Sequence, residues 1–312
     1  MSIAEREGAR PDMWLLLGPS RFRGRPGSYP EEDVVAFLGA FGPESVVTCD
    51  QLLMGVEGGR PVLRDLGGRT LLPPRLVYPR LGPDLAGKLE LVSHLEAMGS
   101  RVFNSVEARL NCDNKFRQLR LLAAAGIPVS DTYMCVDAPL PDVVGAGVPD
   151  PCVVKAVRGT GGSRVFRATH EMLEDLHGSL RGDCPHLLQR FHGFRPGQDL
   201  RVVVVDGRAV AAQVRSSVKG FKSNVALGGT MEACLGRYPG AERLACRAAG
   251  AVGADLVGVD LLFEADGTFT VCEVNSAPGT KGLPEVTPAI IEACRTRAAA
   301  PDGRPAPLLA AA

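Results

Sequence analysis

Asp260, Glu273 and Asn275 are oxygen-bearing side chains set in or just beyond two apolar runs, Val257 to Phe263 and Thr268 to Val274. Between the runs lies Asp266-Gly267, a strong hairpin signal because both residues of a two-residue turn need positive φ. A two-residue turn there sets Ala265 against Thr268 and Asp260 directly opposite Glu273. Alternation along the strand then brings Asn275 to the same face. Opposed carboxylates on a sheet destabilise it unless something neutralises them, and a hard divalent cation with oxygen ligands can do so. Mg²⁺ in particular takes one or two carboxylates together with phosphate oxygens. A water-exposed face would relieve the repulsion differently, but Val257, Val259, Leu261, Leu262, Val271 and Val274 make this hairpin largely apolar.

A second group of residues has phosphate chemistry. Cys152-Val153-Val154-Lys155 reads as a strand closed by a lysine, followed by the glycine-rich Arg158-Gly159-Thr160-Gly161-Gly162-Ser163-Arg164 and a returning strand at Val165-Phe166. Glycines let main-chain N–H groups approach phosphate closely, and a lysine ending an apolar strand is placed to meet the same oxygens. The segment lacks the order of a P-loop and opens no helix, so it is neither that motif nor a dinucleotide fingerprint. An earlier hairpin, Leu200 to Val214 about Asp206-Gly207, carries Asp199, Arg201 and Arg215 at its open end. Simple pairing sets Asp199 opposite Val214 and sends Arg215 to the other face unless a bulge intervenes, and an edge ion pair is an equally open reading.

The elements that position these residues follow from periodicity. Trp14 to Leu17 is a buried strand; Val34, Val35, Phe37, Leu38 and Phe41 give a helix over Glu31 to Phe41; Val46-Val47 and Leu76 to Tyr78 are further strands. Leu85, Leu89, Val92, Leu95 and Met98 form a helical stripe, so a small α/β domain ends near Val106. A helix is predicted over Asp113 to Ala125, stopping at Gly126-Ile127-Pro128. Helices over Glu171 to Leu180 and Ala241 to Val252, and a strand over Leu187 to Phe191, complete the plan.

Composition narrows the function classes. The 312 residues carry 35 Lys+Arg and 35 Asp+Glu, which gives no basic footprint for nucleic acid. No apolar run approaches the ~18 residues of a membrane span, and Met1 to Asp12 is polar. Nine cysteines show no CxxC and no Cys/His spacing, which reads as reduced thiols in a cytoplasmic protein without a zinc motif.

In order, Asn111-Cys-Asp-Asn-Lys115, Val-Val-Lys155, the glycine-rich loop, Leu188-Gln-Arg-Phe191, Asp199-Leu-Arg201, Lys222-Ser-Asn224 with Gly228-Gly229, Gly258-Val-Asp260 and Cys272-Glu-Val-Asn275-Ser-Ala-Pro-Gly279 resemble an ATP-grasp ligase of the RimK type. The resemblance covers roughly residues 12 to 295, and Val102 to Thr132 and Asp199 to Asn275 are especially similar to N-acetylaspartylglutamate and β-citrylglutamate synthases. It implies an α/β (α+β) chain with the ATP-grasp fold. Residues 12–112 would form an N-terminal α/β domain, 113–187 a lid subdomain and 188–297 a C-terminal antiparallel-sheet subdomain, between a flexible leader, 1–11, and a tail, 298–312.

The same resemblance implies roles for residues. Lys115, Lys155, Gly161 and Gly162 would meet the ATP phosphates; Gln189, Arg190, Phe191 and His192 would pass the adenine, mostly through main-chain atoms, and Asp199 the ribose. Arg215 would serve both nucleotide and catalysis, with Asn224 on the acyl-acceptor side, and Lys281 is a second candidate cation there. Asp260, Glu273 and Asn275 would hold Mg²⁺ or Mn²⁺, with two ions expected. The implied reaction activates a small carboxylate, such as N-acetylaspartate or citrate, and joins it to an amine, L-glutamate above all. A peptide C-terminus or a biosynthetic intermediate as acceptor, and a nucleotide-binding regulator without turnover, are the competing readings; homo-oligomerisation is left open. Two departures from the family pattern stand out: Arg190 replaces an acid, and the loop reads Gly-Thr-Gly-Gly-Ser-Arg164 where relatives have Gly-His-Arg-Gly-Lys.

Overall fold

The computed structural model describes residues 10–19, 31–82, 86–159, 165–180, 185–217, 229–280 and 282–300. Its contacts define two units, one of residues up to Val106 together with those from Gly279 onward, the other of Glu107–Pro278.

In the first unit, β1 (Met13–Leu17) is buried along its whole length, as expected of an apolar run in a parallel sheet covered on both faces. The chain continues through α1 (Glu31–Phe41) and β2 (Val46–Thr48). A hairpin not among the expected elements follows, β3 (Leu52–Glu57) and β4 (Arg60–Asp65) about the left-handed Gly58 and Gly59, then β5 (Leu76–Arg80), α2 (Ala86–Ala97) and β6 (Arg101–Val102). The sheet order is β2-β1-β5-β6, all parallel. Leu91, Val92 and Leu95 of α2 cover one face over Trp14, Leu16 and Val77, while Phe37 of α1 stacks on Tyr78 at 5.6 Å.

The second unit opens with α3 (Val106–Asp113) and α4 (Lys115–Ala124). The helix expected over Asp113 to Ala125 is α4, with α3 added before it: Asn114 leaves helical geometry between the two (φ −96°, ψ 105°), and its side chain accepts the Arg117 N–H as the N-cap of α4. Next come β7 (Thr132–Met134), β8 (Cys152–Ala156), β9 (Val165–Ala168), α5 (Leu173–Ser179) and β10 (His186–Arg190). They give an antiparallel sheet of order β7-β10-β8-β9, with Leu173 packed on Cys152, Val154 and Leu188.

A five-stranded sheet follows from β11 (Gln198–Val205), β12 (Arg208–Ser216), β13 (Thr230–Ala233), α6 (Pro239–Ala251), β14 (Leu256–Phe263) and β15 (Phe269–Asn275), in the order β13-β12-β11-β14-β15. One face is apolar: Leu200, Val202, Val204, Val257, Val259 and Val274 lie under the small residues Ala241, Ala245, Ala248 and Ala249 of α6. Strand alternation sends the polar residues to the other face.

The two hairpins turn differently. Asp206 (φ 49°) and Gly207 (φ 75°) are both left-handed, as a two-residue turn requires. In the second hairpin Gly267 is left-handed (φ 80°), and the Glu264 N–H reaches Thr268 O at 3.1 Å, closing a three-residue loop instead of the expected two-residue turn. Near that loop the register is accordingly one residue off the expectation, Leu261 facing Val271. An extra residue at Cys272 then restores it, so Asp260 does face Glu273. The other hairpin has a bulge of its own. Val204 faces Ala209 and Val203 faces Ala211, leaving Val210 over, so Asp199 faces Arg215 and not Val214.

The chain then enters α7 (Val286–Ala299), which packs on α1 and β5 in the first unit; grouping residues up to 297 with the second sheet does not describe it. Apolar pattern alone does not mark this partner, but Asp33 of α1 does: it is buried and accepts hydrogen bonds from Thr280 (2.8 Å) and from Thr287 of α7. No helix among the described residues is long and apolar enough to cross a membrane. Asp33→Ala, which leaves both hydroxyls without their acceptor, is expected to lower stability by roughly 1–3 kcal/mol, read from the urea denaturation midpoint.

Candidate active site

The polar face of the five-stranded sheet carries a compact ionic network. Arg201 on β11 and Asp260 on β14 are cross-strand neighbours, and the guanidinium donates twice to the carboxylate, Nε and Nη2 each at 2.7 Å. Arg215 on β12 donates to Asp199 through Nε at 2.7 Å and through Nη2, and the same Nη2 lies 3.0 Å from Asp260. Asp199 and Asp260 are both buried, at 6% exposure. Burial would raise the Asp260 carboxyl, but Arg201 and Arg215 outweigh it and hold it below the usual carboxylate range. The same pairing, with Asp260 and Asp199, overrides burial and raises Arg215 above its ordinary value.

Glu273 has its own cation. Lys115, at the first turn of α4 and 8% exposed, donates to Glu273 Oε1 at 2.6 Å and to Gly159 O at 2.9 Å. Asn275 donates to Asp260 at 3.3 Å. The opposed carboxylates are therefore compensated by the protein's own arginines and lysine, where opposition alone had pointed to a metal ion. Among the described residues no three His, Cys, Asp or Glu side chains cluster as a metal site. Asp260, Glu273 and the amide oxygen of Asn275 nevertheless make a hard, all-oxygen donor set of the kind Mg²⁺ takes together with phosphate, and the neighbouring cations suit a highly charged anion beside it.

Lys155 is the residue the network leaves over. It lies on β8 opposite Leu187 and is 5% exposed, yet among the described residues no hydrogen bond or ion pair engages its ammonium. Its field reaches Cys272, whose thiol burial pushes up despite that lysine. A buried cation without a partner is costly and calls for an anion. Lys115 thus reaches Gly159, where the glycine-rich segment begins, four residues after Lys155. Gly161, Gly162, Asn224 and Lys281 lie outside the described residues.

The remaining predicted nucleotide residues follow β10. Gln189 is buried and donates to Thr132 Oγ1 at 2.8 Å. Arg190, in place of the acid, turns outward to an exposed pair with Asp131 at 2.5 Å. The Phe191 ring lies 4.5 Å beneath the Arg167 guanidinium. His192 Nε2 is 2.8 Å from Ser130 Oγ, and its Nδ1 is 2.8 Å from Glu264 Oε1, which ties the segment after β10 to two loops. Arg201 is the member of the network that the sequence left unassigned; its place two residues after Asp199, on one strand face, was the available signal.

The match to a family model decides what this arrangement belongs to: residues 112–293 fit the RimK-like ATP-grasp domain. The chain belongs to the RimK-like ATP-grasp family. It is similar to β-citrylglutamate synthase B of Mus musculus, 34% identical over 80% of this chain and 68% of that relative. It is likewise similar to N-acetylaspartylglutamate synthase A of Mus musculus, 35% identical over 75% of this chain and 63% of that one. Among solved structures, the ATP-grasp ligase PsnB, complexed with precursor peptide PsnA2 and AMPPNP, superposes with a TM-score of 0.66 at 23% identity, over 93% of this chain and 99% of that one, which shows the same fold. Like its RimK-type relatives, the chain is an ATP-dependent ligase.

Arg201→Met strips one cation from a buried carboxylate and is expected to cost about 3 kcal/mol in chemical denaturation. Arg190→Ala, which removes an exposed pair, is expected to leave the midpoint nearly unchanged.

Proposed function

We propose that this RimK-type ligase joins L-glutamate to a small carboxylate through an acyl phosphate, with N-acetylaspartate and citrate the first acceptors to test. The observation that carries the site assignment is Lys155, a buried cation with no hydrogen-bond or ion-pair partner among the described residues, beside a carboxylate network already balanced in charge. Such a surplus of positive charge suits the polyphosphate of ATP. Glutamate is supported by the relatives: the names of both synthases describe glutamate joined to a carboxylate.

Lys155 and Lys115 would bind phosphate oxygens, and Lys115 must turn from Glu273 to do so. Main-chain groups from Gln189 to His192 would hold the adenine; their folding onto Thr132, Asp131 and Ser130 fixes the course of that backbone. Asp199, with Arg215, would face the ribose and phosphates. Asp260, Glu273 and Asn275 would hold Mg²⁺, with two ions proposed, which when bound neutralises charge on the transferring phosphoryl group.

In the first step the acceptor carboxylate oxygen bonds to the γ-phosphorus as the bond to the ADP oxygen breaks, giving an acyl phosphate and ADP. Little covalent work falls to the protein, so fixed cations and positioned donors carry the rate. In the second step the amine of glutamate attacks the acyl carbon, phosphate leaves, and the nitrogen gives up a proton to form the amide. Arg215, held on two carboxylates, would stabilise oxyanion charge on that tetrahedral intermediate, and Asn224 would serve the acceptor side. The glycine-rich segment that contains Gly161 and Gly162 would exclude water from the acyl phosphate. A cytoplasmic location fits the free thiols of all eight described cysteines, of which Cys112 is pushed up to about 12 by burial.

ADP release with ATP and Mg²⁺, across amino acids crossed with small carboxylates and with products weighed by mass spectrometry, tests the reading. The expected result is a glutamate adduct that needs all components together and disappears in Asp260→Ala. Activity confined to peptide acceptors would replace the small carboxylate, and tight ATP binding with no turnover on any acceptor would favour a regulator. Lys155→Met is expected to raise the KM for MgATP by an order of magnitude or more, since it removes a charged phosphate contact worth roughly 1.5–3 kcal/mol.

A further inference from the structure

Gln118 takes no part in the chemistry above, yet it is 1% exposed and all of its amide's described bonds are to main-chain atoms. Nε2 donates to Val274 O at 2.7 Å and to Cys112 O at 3.1 Å, while Oε1 accepts from Val274 N at 2.8 Å. Val274 is the residue between Glu273 and Asn275. It lies on β15, the outer strand of its sheet, and its N–H and C=O face α4 and not a neighbouring strand. A carboxamide offers a donor and an acceptor at the spacing of a peptide group, so Gln118 pairs with Val274 as one residue of a further strand would.

The position of that pairing matters more than its strength. Val274 points its side chain into the core beneath α6, so its two neighbours project from the opposite, polar face. One turn before Gln118, on the same side of α4, Lys115 bonds Glu273. The helix is meanwhile fixed to the other sheet, because Leu119 packs with Val157 and Leu187, and the Lys115 N–H bonds Val157 O at 3.0 Å. A rigid helical turn thus sets the distance between the lysine-bearing sheet and the strand end that carries two oxygen donors.

We propose that Gln118 is a positioning residue for the metal-nucleotide site: its amide holds the backbone at Val274 so that Glu273 and Asn275 present their oxygens to one cation in register with Lys115. This rests on the assignment of Asp260, Glu273 and Asn275 to Mg²⁺. Packing alone does not require the residue, since an apolar side chain of similar length would fill the space but leave the Val274 N–H and C=O unpaired. Glu at this position would keep the bond from Val274 N–H and set a second oxygen against Val274 O.

The test uses the full chain with Mn²⁺ as probe, its binding followed by electron paramagnetic resonance in the presence of a non-hydrolysable ATP analogue, with metal-free analogue binding measured separately. Gln118→Met is expected to weaken Mn²⁺ binding about tenfold or more, the usual effect of losing a group that orients a metal ligand, while metal-free nucleotide affinity changes less than twofold. Leu122→Ala, on the same helix with its side chain in the core, is the control for lost stability and is expected to retain Mn²⁺ affinity. Gln118→Met that is less stable but binds Mn²⁺ within twofold of the parent would overturn the proposal. If Gln118→Met does not fold, Gln118→Glu is read by the same criterion. Should Asp260→Asn also keep full Mn²⁺ affinity, the metal assignment itself fails; loss in Asp260→Asn with retention in Gln118→Met refutes the positioning role alone.

Discussion

Taking a carboxylate out of water costs several kcal/mol unless cations and hydrogen bonds replace the solvent, and Asp260 meets that cost with two guanidinium groups from different strands. Arg201 must come from the strand beside it and Arg215 from the strand beyond, which fixes β11 between β12 and β14. Asp199 has to answer the second arginine, and it can do so because it shares a face with Arg201. The apolar side of the same strands is covered by a helix whose buried positions are nearly all alanine, close enough to keep the sheet dry beneath the charges. Strand order, facial alternation and helix composition are in this sense consequences of one buried negative charge.

Two single-residue irregularities make the network possible. Without Val210 left over in β12, Arg215 would not face Asp199, and without Cys272 left over in β15, Glu273 would not face Asp260. Bulges next to functional sites re-aim side chains that regular pairing would send elsewhere, and here each hairpin has one.

The hairpins, their faces and the acid pair were legible in the sequence because Asp-Gly between apolar runs is a local signal, and local signals survive without tertiary context. The juxtaposition of Asp260 and Glu273 followed from a two-residue turn that does not exist; the three-residue loop and the bulge offset one another. For Asp199 and Arg215 the bulge was named as the condition for their meeting, but nothing in Arg208 to Ser216 marks Val210 as its place. Helix α3 (Val106–Asp113) was likewise hidden, since Asn-Cys-Asp-Asn-Lys reads as easily as the lead-in to one helix as the join between two. Arg201, Gln118 and the contact of Lys115 with Glu273 depend on segments far apart in the chain, and no periodicity carries that information. The hairpin of β3 and β4 did carry a local signal, Gly58-Gly59, but its flanking runs alternate poorly, and several of their apolar residues, Leu53 and Val56 among them, are exposed.

The hydrogen bonds at Asp33 span 247 and 254 residues of sequence. The first unit is therefore interrupted in the gene order by the whole of the second, and it cannot complete its own core until α7 has left the ribosome. During synthesis the ligase half has every residue of its sheets in hand first, while Asp33 waits in a partly built domain with water as its partner. Such a chain completes its earliest-made unit last, and a nascent fragment that stops short of Val286 has every strand of the five-stranded sheet but lacks the helix that Asp33 bonds.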